Sequence, residues 1–314
     1  MVDNCSASNL ILPNTFIVGV AKCGTTSIFD WLADHPEVCA SSEKEVYYLC
    51  DKGNPLMNRK LNYHKNGLDG YAHYFGHYVP GKHKIILEGS PSYFYERTPL
   101  KVIPSFSPQA KIIILLRKPS DRVYSSYQFA RNTMSQIDHN INFLEFIEKC
   151  RGFSDVPVLE HEAVDTLAYN SIDGSKYSNF MKKWLASFDR NNIHVYLTSE
   201  FMNSSELMKR ISKELGISLS FWDIYDFEKK METYQVKNQS FHRMALYLYR
   251  KYLTLGLPKR WVNSLEKRYM EKNTTRLSPK QEEEKKALKE LDDEFIPYNE
   301  VLERMLGIDL SEWK

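Results

Sequence analysis

Long apolar runs are missing from these 314 residues. No stretch approaches the roughly 18 consecutive apolar residues that span a bilayer. The polar start Met1–Asn9 runs straight into a strand-like segment, so neither signal peptide nor anchor is expected. A charge excess is missing too: 42 Lys and Arg against 40 Asp and Glu leave a net charge of +2, which argues against nucleic acid held by bulk charge. The five cysteines (Cys5, Cys23, Cys39, Cys50, Cys150) form no CxxC pair, so neither a disulfide framework nor a zinc site is expected. Of the nine His only His73 and His77 stand four apart, and they are expected at the surface and not on a metal-binding helix; no repeat or low-complexity tract occurs. A soluble cytoplasmic protein with no membrane partner and no metal is the expectation. Any anion it recognises must be gripped locally.

Aromatic residues are plentiful, with 20 Tyr and 16 Phe, and suit both a core and a shaped cleft. Thr15-Phe-Ile-Val-Gly-Val20 reads as a buried strand. It meets a glycine-containing loop and then a helix in which Ile28, Trp31 and Leu32 share one face. Strand signals recur at Lys84–Glu88, Ala110–Leu116 and Asn192–Leu197; the second is nearly continuous Ile and Leu, as in a parallel sheet covered on both faces. Helical periodicity marks Tyr177–Phe188 and Ser205–Leu215, the latter closed by Gly216. Ser278-Pro279-Lys280-Gln281 predicts a capped start to a last helix, and Asn54–Asp69 reads as a long surface loop. The fold class is α/β, a P-loop-like central parallel sheet flanked by helices with a helical C-terminal third, and a single domain over 1–314.

The loop after the first strand, Gly19-Val-Ala-Lys-Cys-Gly-Thr-Thr-Ser27, enters a helix whose first N–H groups have no partner, a natural seat for phosphate. Gly24 permits close approach, and Lys22, Thr25 and Thr26 add donors. A capped tight turn is the plainer alternative. A second strand end carries Arg117, turns through Pro119 and enters a helix bearing Ser125, so an Arg fork and a hydroxyl can meet another phosphate. Two such loops suit a ligand phosphorylated at both ends.

Lys22-Cys-Gly-Thr-Thr and Arg117-Lys-Pro-Ser-Asp-Arg-Val-Tyr-Ser125 resemble the 5′-phosphosulfate loop and the 3′-phosphate motif of sulfotransferases that use 3′-phosphoadenosine 5′-phosphosulfate (PAPS). The resemblance continues through Ser42–Tyr48, Leu87–Phe94, Tyr177…Trp184-Leu185 and Leu306–Trp313, and is nearest to the bacterial and heparan-type branch. It implies that Lys22, Cys23, Gly24, Thr25, Thr26, Ser27, Arg117, Ser125 and, in the late loop, Arg276 hold PAPS, whose product is adenosine 3′,5′-bisphosphate. Lys22 would be catalytic. Lys44-Glu45-Val-Tyr-Tyr48 resembles the family's Lys-Glu-Pro-His-Phe-Phe, which makes Glu45 the general base, against a solvated surface role for Glu43 and Glu45. Glu88, Ser90 and Tyr93 become candidate contacts to a small-molecule or carbohydrate acceptor, through a hydroxyl or an amine. Gly89 departs from the pattern, because the glycan enzymes carry there a Lys that contacts the transferring sulfonate.

A kinase or NTPase using Mg-ATP is the alternative on the same scaffold. A Walker loop needs Lys directly after its second glycine, where Thr25 stands, and no Asp closes a strand for the metal, with Glu88 the nearest substitute. An inactive binding protein would have lost Lys22, Arg117 or Ser125, and all three are present.

Overall fold

The computed structural model describes residues 10–153, 164–227, 234–238, 241–242, 244–245, 248, 269, 272–276 and 279–314. Five strands, β1 (Thr15–Gly19), β2 (Val38–Ala40), β3 (Ile85–Gly89), β4 (Lys111–Leu116) and β5 (Ile193–Leu197), form one parallel sheet in the order β2-β3-β1-β4-β5. Ile112 to Leu116 are all fully buried. Successive strand residues face opposite sides of a sheet, so both faces are covered, as the unbroken Ile/Leu run predicts. The register Thr15↔Leu87 and Thr15↔Lys111 brings the C-terminal ends of β3, β1 and β4 to one edge. The chain leaves β1 toward β2 and β3 and then crosses to β4. Loops at such a reversal of strand order enclose a crevice.

Eight helices flank the sheet among the described residues: α1 (Thr25–Asp34), α2 (Tyr63–Ala72), α3 (Thr98–Phe106), α4 (Pro119–Gln128), α5 (Phe143–Gly152), α6 (Ser178–Ser187), α7 (Ser204–Leu215) and α8 (Glu282–Leu306). The apolar stripe of α6 buries Met181 and Trp184, and Gly216 closes α7 in a left-handed conformation (φ 72°), as its position predicts. A second apolar cluster joins α4, α5 and α8 through Tyr127, Phe143, Phe146, Leu291 and Phe295.

Three expectations change. The segment 54–69 is loop only in its first half, because the Asn62 side chain accepts from the Lys65 N–H and starts α2 at Tyr63. α8 begins at Glu282, where the Gln281 N–H donates to the Glu284 carboxylate (2.9 Å); Ser278 lies outside the described residues. The C-terminal third also contains an antiparallel pair, β6 (Tyr234–Val236) and β7 (Thr274–Arg276). No helix among the described residues is long and apolar enough to cross a membrane.

Candidate active site

Between β1 and α1 the chain turns tightly. The Val20 N–H donates to the Leu115 carbonyl and the Cys23 N–H to the Val20 carbonyl (2.9 and 3.1 Å), and Lys22 adopts a left-handed φ of 71°. Non-glycine residues held there store strain, which concentrates at functional sites. Gly24 is the N-cap of α1 at φ 82° and makes no side-chain cap bond. A Cβ on it would stand 2.6 Å from the Phe201 ring. The uncapped helix start leaves the N–H groups of Thr25, Thr26 and Ser27 free of intrahelical partners, with the positive end of the helix dipole behind them. Lys22 projects its ammonium over the Phe129 ring, 3.8 Å from its centre. Burial, with Arg117 adding repulsion, lowers its pKa to about 8.

Arg117 follows β4 directly, and among the described residues it has no carboxylate partner; its carbonyl accepts from the Tyr177 hydroxyl (2.9 Å). One turn into α4, the buried Arg122 guanidinium donates to the Ala21 carbonyl, the Ser171 carbonyl, the Ser175 hydroxyl and the Tyr95 hydroxyl at 2.8–3.1 Å. It thereby bolts the first loop to the second strand end. Ser125 lies on the same helix, which continues into a single π-turn at Phe129–Thr133 carrying Phe129.

Glu45 sits on the segment after β2, at φ 61°, anchored by its N–H to the Gly89 carbonyl (3.0 Å). Its carboxylate pairs with Lys44 and accepts from the Tyr47 hydroxyl. One cavity of about 860 Å³ is lined by Lys22, Gly24, Thr25, Thr26, Ser27, Arg117 and Ser125, and also by Lys44, Glu45 and Tyr47. The two phosphate-loop motifs and the acidic segment, separate in sequence, therefore share one wall.

Other candidates fall elsewhere. Cys23 is fully buried, its thiol against the Tyr177 hydroxyl (3.9 Å), and burial raises its pKa above the usual thiol value. Being near a helix start does not make it an exposed ligand. Glu88, Ser90 and Tyr93 are each fully buried and are not among the residues lining the cavity; they lie in the segments behind it. Ser90 donates to Glu88 (2.6 Å), and the Tyr93 hydroxyl accepts from the Leu49 N–H (2.9 Å). Arg276 ends β7, and its side chain lies outside the described residues. At Gly89 an added Cβ would meet the Phe29 ring at 2.7 Å, so no lysine fits there without displacing it; Lys44 is the cation beside Glu45 instead. Sequence reasoning missed Lys44, Tyr47, Arg122, Phe129 and Phe201. Arg122 lay inside the second motif and Lys44 and Tyr47 inside the Lys44–Tyr48 segment, while Phe129 and Phe201 had no signal.

Burial raises the Glu88 pKa to about 8, against which the hydrogen bond from Ser90 acts only partly. Folded Glu88 therefore keeps a proton that the unfolded chain releases near 4.5, and wild-type stability falls as pH rises from there to about 8. Glu88→Gln has no such dependence. Urea denaturation should show the variant gaining stability over wild type between pH 5 and pH 8; a constant difference would contradict a buried neutral acid.

The sulfotransferase domain family matches residues 12–283. A bifunctional heparan sulfate N-deacetylase/N-sulfotransferase of Caenorhabditis briggsae is 27% identical over 247 residues, covering 76% of this chain and 26% of that protein. A membrane-associated sulfotransferase of Dictyostelium discoideum is 30% identical over 152 residues, 45% of this chain and 30% of that one. The chain thus spans about a quarter of the length of the curated relatives it matches. In three dimensions, a crystal structure of a sulfotransferase from Alicyclobacillus acidocaldarius superposes with a TM-score of 0.65 at 22% identity, over 97% of this chain and 99% of that one, and shares the fold.

Proposed function

The chain belongs to the sulfotransferase family, and from that premise we propose that it moves a sulfonate group from PAPS to a hydroxyl or amine of a carbohydrate or small-molecule acceptor. The family implies PAPS as donor, and the residues present suit it. Lys22 and Arg117 have no carboxylate partner among the described residues, and the start of α1 offers uncapped N–H groups to an anion. On this reading Lys22, Gly24 and Thr25–Ser27 hold the 5′ end, and Arg117 and Ser125 the 3′-phosphate.

The donor supplies a sulfonate already activated as a mixed anhydride with phosphate. The chain does the rest. Glu45 takes the proton of the acceptor as its oxygen or nitrogen bonds to sulfur, and Lys22 stabilises the charge left on the departing phosphate oxygen. A sulfonyl group carries less charge than a phosphoryl group, so Lys22 and backbone N–H groups suffice without a metal. Asn54, Leu56, Ser92 and Glu96 continue the cavity wall beyond Glu45 and form the acceptor side. Burial holds Glu96 up to a pKa of about 7, and its two oxygens accept from the Asp51 N–H and the Asn54 side-chain amide, which fixes that part of the wall.

The observation that carries this proposal is the single cavity that unites both phosphate loops with Glu45. Thermal-shift measurements test it, since a ligand that binds only the folded chain raises its melting temperature. Adenosine 3′,5′-bisphosphate should raise it in excess EDTA. An equal rise with ATP and Mg²⁺ would return the kinase alternative.

A further inference from the structure

The carboxylate of Glu45 is not free to turn, and what restrains it runs into the core. Tyr47 donates its hydroxyl to one Glu45 oxygen at 2.5 Å. Burial and that carboxylate push the Tyr47 pKa far above the usual phenol range, so the hydroxyl stays a donor. The Tyr47 backbone N–H donates to the Ser90 hydroxyl (3.1 Å), and that hydroxyl donates to the Glu88 carboxyl (2.6 Å). Glu88 is fully buried on β3, and the next residue, Gly89, accepts from the Glu45 N–H (3.0 Å). Glu45 and Tyr47 both adopt left-handed φ values, 61° and 49°, which side chains resist unless their surroundings over-determine them. Two hydrogen-bonded anchors to β3 and its exit supply that constraint. Lys44 closes the arrangement on the other Glu45 oxygen, and Lys22 lines the same cavity from the first loop.

We propose that Tyr47 is the positioning residue for the general base: it aims the Glu45 carboxylate into the cavity and is itself held in place by Ser90 and Glu88. The inference rests on the assignment of Glu45 as base. A carboxylate with one oxygen fixed by Tyr47 presents its remaining lone pairs in one direction. Without Tyr47 the side chain follows Lys44.

Base positioning matters only where the acceptor needs a base. Transfer from radiolabelled PAPS is measured to phenethyl alcohol, which stays protonated, and to para-nitrophenol at pH 8, which is mostly ionised already. Tyr47→Phe should lose about tenfold or more in kcat with the alcohol and less than about twofold with the phenol, at unchanged donor affinity. Ser90→Ala should follow in the same direction, and Glu88→Gln, which keeps an acceptor for Ser90, should lose less than Glu88→Leu. A crystal structure of Tyr47→Phe should show the Glu45 carboxylate turned from its wild-type position. Equal losses with both acceptors, or an unmoved carboxylate, overturn the inference while leaving the base assignment intact. If Glu45→Gln itself were silent with the alcohol, the base assignment would fall first, and the crystal structure would still decide the contact.

Discussion

Replacing Glu45 with glutamine should lower turnover by about 10²- to 10⁴-fold, the usual worth of a positioned general base. Gln fills the same space and can still accept from Tyr47, but it cannot take the acceptor's proton. Donor affinity, read by calorimetry with adenosine 3′,5′-bisphosphate, should stay within about twofold, because Lys22, Thr25–Ser27, Arg117 and Ser125 are untouched. Glu43→Gln is the control. Glu43 is exposed and does not line the cavity, so its variant should match wild type in transfer to phenethyl alcohol, the acceptor used for the Tyr47 variant. A dead Glu43 variant beside an active Glu45 variant would place the base in the wrong acidic side chain.

Arg117→Ala should weaken adenosine 3′,5′-bisphosphate binding by about 2–4 kcal/mol, roughly 30- to 900-fold in Kd, the cost of removing a charge-assisted partner from a desolvated phosphate. The same variant should bind adenosine 5′-phosphate as wild type does, since that nucleotide lacks the 3′ group. Equal weakening toward both nucleotides would show that Arg117 supports the loop at large and does not read the 3′-phosphate. Its carbonyl bond to Tyr177 survives the change, so the strand end should keep its path.

What could be read from the sequence depended on how local the determinant was. The unbroken Ile/Leu run of β4 and the apolar stripe of α6 carry their own periodicity, and both stand where expected. The two loops that line the cavity were legible as strand–turn–helix units because each packs strand end, turn and helix start into nine residues. The three-residue β2 was not, because Val38–Ala40 pairs only with β3 and its pattern is too short to register. The surroundings of Glu45 were read least well. Glu88, Ser90 and Tyr93 lie in the right neighbourhood, but whether a residue there faces the cavity or the core depends on how the segment from Glu45 to Leu49 docks on β3. That docking joins groups more than forty positions apart. Tyr47 stood in a quoted segment, but its bond to Ser90 was not readable for the same reason. Arg122 sat inside a recognised motif, yet nothing local announces a guanidinium whose partners stand 101 residues upstream and 49 and 53 downstream.

Those separations fix an order of assembly. β1, β2, β3 and β4 can pair once the first 116 residues have emerged, and of the sheet only the edge strand β5 comes later. The loop between β1 and α1 is different. Its Ala21 carbonyl is secured by a side chain that is itself oriented by Ser171 and Ser175, so the anion cradle takes its final shape only after that downstream stretch has docked. Closing so long a span costs chain entropy that nearby contacts do not repay. During synthesis the pairing of β1 to β4 therefore precedes the final shape of the loop between β1 and α1.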